Sequence, residues 1–292
     1  GLVGSEMCIR DSRAQYRRRF AAIGRCLPAP RLYSTYNSGM GFLFRPKELP
    51  RPASLTFTLD QAGHTYDDGH VGLAPTDITI SELRVAVIGL NGAGKSTLLG
   101  LLDGSLKANA GTVTIAGGEE RLDPAVKKDA KRIDNLVGKV RREEIPNSFY
   151  QAANISEAVS EALKKHKVPE SERHARIGNL FAHFDLAQVS KAKASELDSE
   201  KRHLLAIAAA LSFEPSAIVA DEPSKGLDEI GAAHVAKALF SYNKQVIFAT
   251  HDTDMIRRPE YAIDRVLVLD EHAVAFDGAP AEACLLYTSP SP

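Results

Sequence analysis

Residues 83–96, LRVAVIGLNGAGKS, constrain this chain more than any other stretch. The near-continuous apolar run at 83–90 is the pattern of a strand buried on both faces. It runs straight into a glycine-rich turn and then into STLLGLLDG, an apolar segment suited to a helix closed by Gly104. Between them, Gly89-Leu90-Asn91-Gly92-Ala93-Gly94-Lys95-Ser96 satisfies the phosphate-loop pattern G-x-x-x-x-G-K-S/T in full. Glycines let backbone N–H groups turn toward phosphate oxygens with no Cβ in the way. The following helix adds its positive N-terminal end. Lys95 would reach the β- and γ-phosphates and Ser96 would give its hydroxyl to Mg2+, with Asn91, Gly92, Ala93, Gly94 and Thr97 completing the cradle. A glycine-rich turn that fits the pattern by chance is the alternative, but such a turn need not follow a buried strand and open a helix, as this one does.

Buried strands return at SAIVAD (216–221), QVIFAT (245–250) and RVLVLD (265–270), and GTVTIAGG (111–118) reads as one more. Short alternating segments between 55 and 80, with a turn at Asp67-Asp68-Gly69, have a strand and hairpin pattern. Between about 154 and 184, ISEAVSEALKKHK and SERHARIGNLFAHF carry helical spacing and helix-forming composition. Buried strands alternating with helices predict an α/β fold with a mainly parallel sheet, the helical stretch forming a subdomain of its own. Such sheets bind ligands beyond the carboxyl ends of their strands, so the strand-end acids at 221–222 should face the crevice that holds the phosphate loop. Asp221 would hold magnesium directly or through water, and Glu222 would polarise the attacking water as general base. One acid at a strand end is commonly just solvated. Two after a wholly apolar strand, in a chain with a phosphate loop, point to the site. His251, in QVIFATHD, would sense the γ-phosphate and hold the water and Glu222 in line, with a purely structural histidine as the competing reading.

Composition serves to exclude. A formal net charge of −1 gives no overall pull toward nucleic acid or an acidic membrane surface. No run of roughly 18 apolar residues is present to span a bilayer, so work at a membrane would need a partner. Cys8, Cys26 and Cys284 are too scattered for zinc or a disulfide framework, which fits a reducing cytosol. Residues 1–12, GLVGSEMCIRDS, and 284–292, CLLYTSPSP, resemble translated sequencing-adapter sequence and are expected not to be native. Before Met40, the residues Arg17, Arg18, Arg19, Arg25 and Arg31 mark an acid-poor stretch. It reads either as a targeting presequence or, in keeping with its lack of hydrophobic periodicity, as non-coding sequence ahead of a start at Met40.

Taken in order, the phosphate loop, DEPSKGLD (221–228) and ATHD (249–252) resemble the nucleotide-binding domains of ATP-binding cassette (ABC) transporters, over about residues 55–280. The resemblance implies ATP and Mg2+ as ligands. It also implies a head-to-tail dimer in which each ATP lies between one subunit's phosphate loop and the other's signature loop. In the same frame HTYDDG (64–69) is the loop whose aromatic residue, Tyr66, stacks on adenine, a core tyrosine beside a hairpin being the alternative, and Leu227-Asp228 crosses to the opposing subunit. RHLLAIAAAL before VADEP, and VLVLDEHAVAFDGAP after VIFATHD, are most similar to the single-cassette ATPases of energy-coupling-factor vitamin and metal importers, the biotin importer of actinobacteria among them.

Two positions depart from the family. Its signature loop reads LSGGQ, where this chain has Leu197-Asp198-Ser199-Glu200-Lys201. A helix N-terminus favours an anion by roughly 0.3–2 kcal/mol. A carboxylate about 4–5 Å from a phosphate oxygen opposes it by roughly 3–4 kcal/mol at an effective dielectric near 20. Repulsion should win, leaving a helix capped by Asp198 whose phosphate binding is impaired. After Val137-Gly138-Lys139-Val140 the family places a glutamine two residues on, contacting magnesium and signalling to the membrane subunit. Here Arg141 and Arg142 occupy that stretch, and Gln151 comes too late.

The expected chain is an α/β P-loop NTPase of ABC type, with an antiparallel β subdomain, a helical subdomain at about 141–194 and the cassette spanning 40–283. Its expected role is hydrolysis of ATP at the cytoplasmic face of a prokaryotic membrane to power solute import. The expected partners are a second ATPase subunit, an integral coupling subunit and a substrate-binding membrane subunit, with no nucleic acid. A heterodimer is favoured, because a homodimer would carry two impaired signature loops. The competing readings are a soluble cassette acting on ribosomes or DNA and a regulatory cassette that binds ATP without turnover. The first of these usually carries a second cassette or a long coiled-coil insertion, and neither is visible here.

Overall fold

The computed structural model describes residues 54–141 and 145–283; the two adapter-like ends, the arginine-rich stretch and Arg142 lie outside them. The chain starts with a hairpin, β1 (Thr56–Thr65) and β2 (Val71–Ile80), then crosses to β3 (Arg84–Gly89) and α1 (Lys95–Leu102). It continues through β4 (Ala110–Gly117) and β5 (Glu120–Leu122), which complete an antiparallel sheet in the order β2-β1-β4-β5. Then α2 (Lys127–Leu136) leads into β6 (Val137–Arg141). Three helices follow, α3 (Asn147–Gln151), α4 (Ile155–Lys165) and α5 (Glu170–His183). The chain then forms α6 (Ser199–Leu211), β7 (Ala217–Asp221), α7 (Glu229–Phe240) and β8 (Gln245–Thr250). It ends on α8 (Thr253–Arg257) and the hairpin β9 (Arg265–Asp270) and β10 (Ala273–Gly278). The second sheet runs β10-β9-β3-β8-β7-β6 and is parallel except for β10. This is the expected α/β class, with its antiparallel sheet at the start. Among the described residues no helix is long and apolar enough to cross a membrane.

Alternation explains why the parallel strands read as unbroken apolar runs. On β3, β7 and β8 the side chains of Val85, Val87, Val219 and Ile247 pack toward Leu98 and Leu102 of α1 and toward Phe57, Leu59 and Ile80 of the antiparallel sheet. Their neighbours Ala86, Ile88, Ile218, Ala220 and Phe248 point the other way, into a core shared with Leu204 and Leu211 of α6 and Val235 and Leu239 of α7. Both faces are covered, so neither tolerates polar residues. Helix α1, held between the sheets, is buried at every position except Ser96. An all-round apolar sequence is what such a helix requires. Truncating one of its leucines, Leu98, to alanine would cost roughly 2–5 kcal/mol. Helix α6 approaches β6 so closely that a Cβ on Gly138 would stand 2.7 Å from the Ala210 carbonyl oxygen.

Arg84 anchors the end of β3 remote from the phosphate loop. Its buried guanidinium donates to the carbonyl oxygens of Tyr242 and Lys244, just past the end of α7, while its N–H donates to Asp264 Oδ2 at 2.9 Å. Burial pulls its pKa down to about 10, with Asp264 opposing, so the group stays charged at neutral pH. The helical stretch is built by the same physics: α4 starts where Asn154 accepts the Glu157 N–H at 2.9 Å. Phe149, Leu163, Ile177 and Phe181 then close its apolar side.

Candidate nucleotide site

The phosphate loop leaves β3 through three glycines with positive φ: Gly89 at 155°, Gly92 at 85° and Gly94 at 100°. At Gly94 a side chain is excluded twice over, because a Cβ would also stand 2.6 Å from the Gly72 carbonyl oxygen. Lys95 is buried, and its Nζ folds back to donate to the carbonyls of Gly89 and Leu90, each at 2.9 Å. The Ala93 N–H donates to the Leu90 carbonyl at 3.2 Å, which tightens the turn. The N–H groups of Lys95, Ser96 and Thr97 open α1 and so have no carbonyl one turn earlier within the helix. They point the positive end of the helix out of the loop, the geometry that anions seek. Asn91 and Ser96 are exposed, and Asn91 lines a cleft with Ile88, Gly89, Leu90, His251 and Thr253.

Strand β7 delivers the acids. Asp221 and Glu222 are both buried, and Glu222 takes a left-handed backbone with φ at 45°. That conformation costs a non-glycine residue roughly 1–3 kcal/mol. It is held by the Glu222 N–H donating to the Ala249 carbonyl of β8 at 3.0 Å. Glu222 Oε1 lies 3.9 Å from Lys95 Nζ and 3.6 Å from His251 Nδ1. Its Oε2 meets Lys225 Nζ at 2.5 Å. Burial pushes the Glu222 carboxyl up, but Lys225, His251 and Lys95 outweigh it and hold the group below its ordinary value. Burial likewise lowers the Lys95 pKa, with Glu222 and Asp221 opposing. No motif marks Lys225 for the site; only its place three residues after Glu222, in a turn closed by the Lys225 N–H on the Glu222 carbonyl at 3.1 Å, hints at the pair.

Asp221 Oδ1 is buried with no hydrogen-bond partner. A carboxylate oxygen left so is costly and suits a cation, and hard oxygen donors are what Mg2+ takes. The residues present therefore fit the ion. Tyr66 lies beside the loop, with its hydroxyl 3.0 Å from Thr97 Oγ1.

At the start of α6 the two acids go elsewhere than against a phosphate. Asp198 caps its own helix, accepting the Lys201 N–H at 2.8 Å, while Lys201 Nζ stands 3.3 Å from the other oxygen. The Lys201 N–H is the largest of the influences that draw its carboxyl below the ordinary value. Glu200 instead pairs with His234 of α7. Arg141, expected where the family keeps a magnesium-contacting glutamine, pairs with the fully buried Asp103 at the end of α1 and lies 3.4 Å from Ser105 Oγ.

With a buried lysine and a strand-end glutamate meeting at the carboxyl edge of a parallel sheet, the fold and its loop define a P-loop nucleoside triphosphatase. Residues 76–225 match the ABC transporter family. A putative ABC transporter ATP-binding protein of Deinococcus radiodurans is 34% identical over 229 residues, 78% of this chain and 96% of that protein. The chain belongs to the ABC transporter family, as an ATP-binding subunit with ATPase activity. The energy-coupling factor transporter ATP-binding protein EcfA2 of Clostridium perfringens is 29% identical, over 77% of this chain and 78% of its own. The structure of cbiO1 from Clostridium perfringens, part of the ABC transporter complex cbiONQ, matches with a TM-score of 0.66 at 28% identity, covering 78% of this chain and 90% of that one. The cassette MJ0796, solved as a dimer in a post-hydrolysis state with ADP and Pi, shares the fold at a TM-score of 0.64 and 22% identity, covering 77% of this chain and 98% of that one.

Proposed function

We propose that this chain is the ATP-hydrolysing subunit of an energy-coupling-factor importer for a vitamin, biotin by its sequence resemblance. It would work at the cytoplasmic face of the membrane with an integral coupling subunit and a separate solute-binding membrane subunit. The cassette would span 40–283, with its helical subdomain at about 141–194. The likeness to EcfA2 and cbiO1 supports the importer class. The observation that carries the catalytic part is the meeting of Lys95 and His251 on one oxygen of Glu222.

Each residue then has a task. Lys95 turns its ammonium from the loop carbonyls to the β- and γ-phosphates, whose oxygens take the N–H groups of residues 92–97. Tyr66 stacks on adenine. Ser96 and Asp221 hold Mg2+, which when bound neutralises charge on the β- and γ-oxygens. Glu222 accepts a proton from the water that attacks the γ-phosphorus, and His251 fixes that water in line. The bond to the bridging oxygen breaks, leaving ADP and phosphate. Because Asp198 occupies its own helix end, we propose a heterodimer in which a second cassette with an LSGGQ loop completes the site over this chain's phosphate loop.

ATP hydrolysis by the full chain, alone and with a co-purifying second cassette, tests this beside a Glu222→Gln control. Turnover that needs the second cassette and vanishes in the control supports the reading. Bound ATP with no turnover in either mixture would replace it with a regulatory cassette.

A further inference from the structure

The turn that carries Tyr66 also carries a second ring. Tyr66 and His70 face each other across the β1–β2 turn, one step beyond the Thr65↔Val71 pair, with the Tyr66 N–H donating to the His70 carbonyl at 2.8 Å. Opposed residues of a hairpin send their side chains to the same face. The two rings lie within 19° of parallel, with centres 6.3 Å apart. Each is braced edge-on by another histidine, His64 against Tyr66 at 4.6 Å and 82°, and His272 against His70 at 5.1 Å and 88°. His272 comes from the β9–β10 turn, where its carbonyl accepts the Ala74 N–H at 2.8 Å. Its Nδ1 is buried without a hydrogen-bond partner. Tyr66 is seated by Gly72, where a Cβ would stand 2.6 Å from its ring. Edge contacts from His64 and His272 therefore set the Tyr66 and His70 rings nearly parallel, at the mouth of the phosphate loop.

A planar base in contact with two ring faces needs about 7 Å between them, twice the roughly 3.5 Å carbon contact distance. The 6.3 Å centre spacing of Tyr66 and His70 is the upper limit of the gap between their faces, so the exposed His70 ring swings outward by at least ~0.7 Å to admit a base. We infer that His70 is a second base-contacting residue, holding the adenine of ATP against Tyr66, and that His272 is its positioning residue. The inference rests on the reading of this site as an ATP site.

Calorimetric titration of ATP and of inorganic tripolyphosphate, each with Mg2+, into the full chain tests it. His70→Ala should weaken ATP about ten-fold, the loss of one base–ring stack, and leave tripolyphosphate unchanged. His70→Phe should restore ATP binding, and His272→Ala should weaken ATP alone. Wild-type ATP affinity in His70→Ala would overturn the second contact while leaving the ATP site standing. Loss of both ligands in His70→Ala would assign His70 a structural role and overturn it as well. A wild-type chain that binds neither ligand would overturn the ATP-site reading itself.

Discussion

Glu200 accepts the Nδ1–H of His234 at 2.6 Å, and so ties the first turn of α6 to α7 of the same chain. The helix that the family turns toward a partner's nucleotide is thereby engaged at home, by Glu200 on one side and by the Asp198 cap on the other. Replacing Asp198, Ser199 and Glu200 with Ser, Gly and Gly should raise ATP turnover by the lone cassette about ten-fold, less than the bare repulsion estimate because Lys201 already offsets part of the charge and Glu200 is held by its hydrogen bond to His234. Steady-state phosphate release checks it. Equal rates would mean that the acids do not limit this chain.

The cap itself is separable from the charge. Asp198→Ala should destabilise the fold by about 1 kcal/mol, and Asp198→Ser by much less, since a hydroxyl also accepts the Lys201 N–H. Because the folded carboxyl titrates below its ordinary value, its contribution is complete above that value and fades as pH falls through the lower one. The difference in Tm between wild type and Asp198→Ala should therefore hold from pH 7 to pH 5 and shrink near pH 3.

Arg84→Met keeps most of the volume but strands the Tyr242 and Lys244 carbonyls. Leaving such acceptors buried and unpaired should cost about 3 kcal/mol, or a Tm lower by ~10 °C for a domain of this size. Urea unfolding checks it through a lower midpoint at unchanged slope. ATP affinity of the folded variant should be unaltered, because Arg84 begins the strand whose other end, Gly89, carries the loop.

His166 stacks on Phe213 at 3.8 Å and 7°, with its Nδ1 2.8 Å from Asn135 Oδ1. Burial, with help from Lys165 and against Asp134, pulls its pKa below the ordinary 6.5. Below that pH the unfolded chain takes a proton that the fold refuses, so stability falls with pH until the lower folded value is passed. His183 shifts the same way and adds to the slope. His166→Phe should lose less Tm than wild type between pH 7.5 and pH 5.5. Parallel losses would exclude His166 from the acid sensitivity.

What could be read in the chain, and what could not, divides by the range of the signal. The apolar runs at 84–89, 217–221, 245–250 and 265–270 are local patterns, and strands lie at all four. That Lys95 and Glu222 share a crevice follows from the rule for carboxyl ends of parallel strands, which needs no knowledge of the strand order. Side-chain choices between competing partners are not local. Arg141 reads as an intruder beside the metal site and instead neutralises Asp103, 38 positions away. Glu200 reads as a charge facing phosphate, yet it finds a histidine on the next long helix. The ion contact of Lys225 depends on the left-handed turn at Glu222, which no residue type announces. In β1 the register slips between Leu59 and Ala62, around Gln61 with its φ of 46°, so strict alternation could not have followed that strand through.

The sheet order also sets a timetable. Strand β3 carries the phosphate loop, yet both of its neighbours, β8 and β9, are made of sequence synthesised long after it. In a growing chain the loop is born on an apolar ribbon with two open edges, the kind of surface that recruits the wrong partners until the right ones arrive. Lys95 waits for Glu222, and both wait for β8 to slide between their strands. The motif that announces the protein most clearly is thus powerless for most of its own synthesis, and a messenger cut short before residue 245 would yield a phosphate loop without a sheet to hold it.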